Sequence, residues 1–368
     1  MKKMMLLSLV FLLAMSIHLT REAMGQESTD AIKNSRHLQA FYAEGRFAAW
    51  PANNGMWQWE DEILVGFTLG YLAAPEDQKG LHQINRSRPN VPMFIRSLDG
   101  GETWTSFEAN YPTGELKPFP AEIPFDSPGF TLNARRNQAC ISLDKGYTWQ
   151  GPFRLPFADL HLVARTDYQV LGPDDLMLFL TAQKTNDREG RPYAARTRTG
   201  GKYWNQFAWI GDEPETGYSI MPSSVRLPNG DFLAALRRQD KDPEEHNFLE
   251  LFRSEDGGLS WQWISNPVAS TGGRSGNPPS ILRLQDGRLC ITYANRDKPH
   301  TIRAVFSKDD GMSWGKEYIL RSGAGEPDIG YTRTAQRSDG KLVTIYYWLD
   351  KVNTERYIAA TIWDPAQF

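Results

Sequence analysis

Two cysteines among 368 residues are too few to staple a chain together. Cys140 and Cys290 stand far apart in strand-like runs, QACIS and RLCITY, and read as buried thiols rather than a disulfide framework. The six histidines are scattered, no His/Cys spacing matches a zinc or iron site, and no EF-hand loop occurs. Neither a metal nor a cofactor is expected. Charge of one sign is also scarce. The net charge is −3 with acidic and basic residues mixed along the chain, so no basic run points to nucleic acid and no acidic tail is present. Past the N-terminus, no stretch is apolar enough to cross a membrane.

The N-terminus itself differs. Lys2 and Lys3 precede an apolar stretch, Met4 to Met15, broken only by Ser8, and Ala23-Met24-Gly25 offers small residues where a signal peptidase reads them. Residues 1–25 therefore read as a secretory signal peptide, too short for a comfortable span. Residues 26–368 read as a single domain, secreted or periplasmic, with no membrane insertion after cleavage.

What the chain has in plenty is repetition. SLDGGETW (97–104), SLDKGYTW (142–149), SEDGGLSW (254–261) and SKDDGMSW (307–314) share Ser-x-Asp-x-Gly-x-Thr/Ser-Trp, and TRTGGKYW (197–204) is a worn copy with Thr199 for Asp. The copies begin 45, 55, 57 and 53 residues apart, a spacing typical of propellers. The Asp can bond the N–H groups of its own turn, Gly takes a positive φ, and Trp buries its ring between sheets. Interleaved with the boxes are VRLPNGDFLAALRR (225–238), LRLQDGRLCITYANR (282–296) and AQRSDGKLVTIYYW (335–348), each reading strand, Asn/Asp-Gly turn, strand. Hairpin then box makes four strands per unit, with units beginning near 46, 127, 165, 221, 278 and 331. The expectation is an all-β, six-bladed propeller in which HLQAFYAE (37–44) completes the last blade and closes the ring. The second unit is the weakest, because PTGELKPFPAEIPFDSPG (112–129) is loop-like.

In such a ring the first strand of each blade lines the channel. Nine residues back from Gly55, Gly230, Gly287 and Gly340 lie Arg46, Met221, Pro278 and Tyr331; a similar count reaches Arg165 in ARTDY. Second-strand exits carry Arg237, Arg238 and Arg296 to the same rim. Several guanidinium groups around one phenol call for an acidic ligand, because Arg grips carboxylates bidentately and stays charged.

The boxes, with RFAAWP (46–51), resemble the sialidase (neuraminidase) superfamily across essentially all of the mature chain. The resemblance implies three arginines clamping a sugar carboxylate, which would be Arg46, Arg238 and Arg296, and a Tyr nucleophile, which would be Tyr331 in DIGYTRT. Arg165 and Arg333 complete the expected substrate-binding set. A tyrosine suits a substrate whose own carboxylate would repel a carboxylate nucleophile, but its high pKa demands a base nearby. Here the sequence departs from the family: Met221 stands where the resemblance calls for Glu. Glu213, Glu215, Glu326 and Asp328 are candidate substitutes. For proton transfer the loop after the first blade's second strand offers Asp77 and His82, and Asp167 sits beside Arg165. The expected function is an exo-acting glycoside hydrolase on the terminal acidic sugar of a glycan, whether sialic acid, a related keto-sugar acid or a uronic acid, working as a monomer. Two alternatives stay open: a non-catalytic glycan-binding propeller, and a hydrolase or lyase on uronate-containing polysaccharide that depends on His82.

Overall fold

The alternation of Gly turns and boxes resolves into six antiparallel sheets in sequence order, a six-bladed propeller. The structure is a computed structural model and describes residues 30–368 apart from 33, 79, 158, 159 and 164; the segment read as a signal peptide lies outside the described residues. Residues 31–368 form one compact unit. Blades 3 to 5 each run from an inner strand outward: Tyr168–Gly172 to Gln206–Trp209, Tyr218–Arg226 to Gln262–Val268, and Ser280–Arg283 to Tyr318–Ser322. Blade 6 begins with Gly330–Gln336, and its outermost strand is the N-terminal Arg36–Phe41, paired antiparallel with Tyr357–Trp363. Pairing the N-terminal strand with the C-terminal one closes the ring, as expected.

Each intact box is built alike. In the first, Ser97 Oγ donates to Asp99 Oδ1 (2.7 Å) and accepts from the Gly101 amide (2.8 Å), while Asp99 accepts the Thr103 amide (2.9 Å). Burial is the largest single influence and opposes ionisation of the box carboxylates, but the hydrogen bonds together outweigh it. In the third intact box, those from Ser260, Ser254 and the Leu259 amide pull the pKa of Asp256 down to about 2. The glycine at the fifth position of every intact box has a further task. Gly101, Gly146, Gly258 and Gly311 all have positive φ. A Cβ on them would lie 2.8, 2.6, 2.5 and 2.4 Å from Val343, Leu64, Met177 and Leu251, each in the preceding blade of the ring. The box therefore docks one blade against the next.

Two regions depart from the repeat. Blade 2 has three strands, Thr131–Arg135, Gln138–Ser142 and Gln150–Arg154, and none innermost to match the others. The 112–129 segment that precedes them carries five prolines, which cannot donate to a ladder. In blade 1 the inner strand is split into Arg46–Ala49 and Met56–Trp59 by the helical turn Pro51–Asn54. Gly55 ends that turn rather than making a hairpin, and the reversal falls at Glu60–Asp61. Asn133 of blade 2 donates to the Asn54 carbonyl (2.7 Å), tying the two irregular blades together.

Candidate functional site

Inner strands start at the channel mouth, and two of them start irregularly. Tyr331 and Met221 both adopt left-handed backbone, at φ 55 and 57, beside register slips at Gly330/Arg333 and Ile220/Ser223. Trp50, Arg274 and Ser275 are left-handed as well. Each such non-glycine residue costs of order 1–3 kcal/mol, and clusters of them mark functional sites. Asn277 holds the Tyr331 bulge, accepting the Tyr331 amide (2.7 Å) and donating to the Ile329 carbonyl (2.8 Å).

The Tyr331 ring lies between two guanidinium groups, Arg237 at 5.7 Å and Arg296 at 5.9 Å from its centroid. Arg237 Nη1 donates to the Tyr331 hydroxyl (3.1 Å), and its Nε donates to the Ser275 carbonyl (2.9 Å). Arg296 donates to the Arg274 carbonyl (2.9 Å) and to the Tyr347 hydroxyl (3.3 Å). The strained Arg274–Ser275 loop thus aims both arginines. Both are nearly buried, at 5% and 3% exposure, and among the described residues neither forms an ion pair with a carboxylate. Carbonyls and hydroxyls orient their charge, while the carboxylates that feel it, Asp328 for Arg296 and Glu189 and Glu245 for Arg237, stay beyond ion-pair contact.

Behind them runs a hydrogen-bonded chain. Tyr347 donates to Asp328 Oδ1 (2.6 Å), which also meets His82 Nδ1 (2.8 Å). Burial disfavours the Asp328 charge, yet His82, Arg356 and Arg296 hold its carboxyl below the usual range. Burial pushes the Tyr347 hydroxyl well up. The His82 ring is 6.3 Å from that of Tyr331 and packs edge-on against Trp50 at 5.1 Å. Nδ1–H directed at Asp328 leaves Nε2 free to accept a proton, the arrangement that orients a general base.

Of the residues expected at this mouth, the structure brings together Tyr331, Arg237, Arg296, Met221 and His82. The others are placed differently. Arg238 turns to the opposite face of its strand, pairing with Asp240 and lying 3.8 Å from Glu250, and Arg237 takes the inward place. Arg46 donates to the Gly70 carbonyl (2.7 Å) and lies over the Tyr71 ring. Arg165 holds Asn53 (2.9 Å) and pairs with Glu189 (3.3 Å). Asp77 ends an exposed 3-10 turn, Pro75–Asp77. Arg333 and Asp167 pair with one another at 3.4 Å inside the channel, beside an axial cavity of about 450 Å³. Burial raises Asp167 to about 6, with Arg333 and Ser224 opposing the rise. At the position expected to hold Glu, the Met221 sulfur lies 3.6 Å from Arg237 Nη1. Tyr347, Asn277 and Trp50 carry no sequence signal beyond sitting near strand starts or ends.

A family model for the BNR repeat-like domain matches residues 126–344. Among solved structures, a protein of unknown function from Dyadobacter fermentans superposes with TM-score 0.65 at 19% identity, covering 90% of this chain and 99% of that one. The Trypanosoma rangeli sialidase in complex with the inhibitor DANA gives 0.55 at 10% identity, over 90% of this chain and 60% of its own. Penicillium chrysogenum alpha-L-arabinanase complexed with arabinobiose gives 0.53 at 15% identity, over 89% and 98%. A search of curated proteins finds no match. These structural likenesses establish a shared propeller, and because the family match spans more than half of the sequence, the chain belongs to the BNR repeat-like domain family.

Proposed function

We propose that the protein is a secreted or periplasmic exo-glycoside hydrolase that removes a terminal acidic sugar from a glycan at the Tyr331 mouth. The observation that carries this reading is the pair of nearly buried guanidinium groups, Arg237 and Arg296, flanking Tyr331 with no carboxylate partner among the described residues. Burying charge without a counter-ion is costly, and a ligand carboxylate offsets that cost. In this mechanism Tyr331 attacks the anomeric carbon while His82 takes the phenolic proton and passes it to the departing glycosidic oxygen. Water then cleaves the tyrosyl–sugar bond, and its proton returns to the phenolate through His82. Asp328 holds His82 in the accepting tautomer. Kinship of fold with a sialidase and an arabinanase supports glycoside chemistry as the class.

A second reading, a glycan-binding propeller without turnover, is favoured by Met221, which leaves the Tyr331 hydroxyl bonded to Arg237 and not to a carboxylate. Incubation with a panel of sialylated and uronate-terminated glycans, read by released sugar, separates the two. Hydrolysis is expected, with a loss of about a hundredfold or more in Tyr331→Phe and in His82→Ala. Binding without release supports the second reading, and full activity in Tyr331→Phe removes Tyr331 as nucleophile.

A further inference from the structure

Away from the mouth, a cavity of about 500 Å³ opens between blades 3 and 4, lined in part by Trp261, Trp263, Phe252, Glu250, Ser219 and Arg238. Trp263 is 55% exposed, yet its indole N–H donates to Asn266 Oδ1 (3.0 Å), so a wide aromatic face is held still in solvent. Trp261 is 9% exposed and belongs to an intact box, but it breaks the rule of its siblings. Trp104, Trp149 and Trp314 each donate the indole N–H to the carbonyl of the fifth-position glycine of their own box, at 2.9, 3.2 and 3.1 Å. The Trp261 Nε1 is buried with no partner, as is that of Trp204 in the worn box. Among the intact boxes, the one whose tryptophan lines this cavity is the one that forgoes this acceptor.

The polar groups beside these rings are arranged for hydroxyls. Ser219 Oγ donates towards Glu250 (3.4 Å), and Arg238 Nε lies 3.8 Å from the same carboxylate. Asp212, Glu213 and Glu215 add negative charge to the lining, against Arg238 as its one guanidinium. That balance repels an anionic sugar, the reverse of the mouth.

We infer that this cavity is a second saccharide site, one that takes an uncharged sugar unit. The Trp263 face covers the C–H face of the ring, and Glu250 and Arg238 serve its hydroxyls. A pocket of this size with an aromatic wall and a few convergent polar groups suits one or two sugar rings. The site stands independently of chemistry at Tyr331.

The test uses the full chain carrying Tyr331→Phe, so that turnover at the mouth cannot consume a ligand. Saturation-transfer NMR is recorded with lactose, cellobiose, xylobiose and arabinobiose. At least one should receive saturation, and the signal should fall about tenfold or more in Trp263→Ala, equivalent to about 1.4 kcal/mol of binding. Glu250→Gln should weaken the same signal while both variants keep the parent melting temperature. Added N-acetylneuraminic acid should not compete. If none of the four sugars gives a Trp263-dependent signal, or if the acidic sugar displaces it, the inference is wrong. Either result is independent of whether the mouth hydrolyses anything.

Discussion

Four buried arginines in this propeller fall into two kinds. Arg356 and Arg96 are paired: Arg356, fully buried, bonds Glu326 at 2.7 Å and lies 3.8 Å from Asp328, and Arg96 bonds Glu62. Arg237 and Arg296 have only carbonyls and hydroxyls. Burial is similar and charge is identical, so the difference lies in who neutralises it. The first kind is settled by folding alone. The second is held in place by a left-handed loop with no carboxylate in contact, a cost that a ligand anion offsets.

The comparison can be broken most sharply at Arg356. Arg356→Met takes the ion-pair partner from Glu326 and a neighbouring positive charge from Asp328 and should cost about 3–5 kcal/mol in urea unfolding; a loss below about 1 kcal/mol would erase the distinction. Next is Asp167, whose pairing is imperfect because burial raises its pKa to about 6. A carboxyl raised on folding stabilises the native state when protonated. Its contribution is full below about pH 4 and fades as pH rises towards 6, up to about 3 kcal/mol at 1.36 kcal/mol per unit. Asp167→Asn should flatten stability between pH 4 and 6.5; an unchanged slope would contradict it. The box carboxylate Asp256, lowered to about 2, has the opposite sign and loses its contribution as pH falls from about 4 to 2. The smallest expected effect is at the unpaired kind. Arg237→Met should leave unfolding free energy within about 1 kcal/mol of the parent, or raise it, because a buried charge is removed along with its hydrogen bonds.

Local chemistry made much of this architecture legible. Box spacing and Asn/Asp-Gly turns marked the six blades, and the strand-like HLQAFYAE marked the closure realised by Arg36–Phe41. What escaped was register. Arg237 and Arg238 differ by one residue, which in a strand is the whole difference between facing the channel and facing away. The bulge opposite them, between Ile220 and Ser223, leaves no trace in composition. Counting back from Gly55 treated a helix end as a hairpin, so Arg46 was indexed from the wrong turn. The proline-rich segment before blade 2 was recognisably irregular, but not that it would replace an inner strand. The His82–Asp328 contact joins residues 246 apart, beyond any local signal.

The central claim is that Arg237 and Arg296 await a carboxylate, and equilibrium affinity tests it most directly. Calorimetric titration with N-acetylneuraminic acid and with glucuronic acid should find binding to at least one. In Arg237→Met the affinity should fall about a hundredfold, near 2.7 kcal/mol, at undiminished stability. Equal affinity in the variant, or no binding of either acid by the parent, would contradict the account.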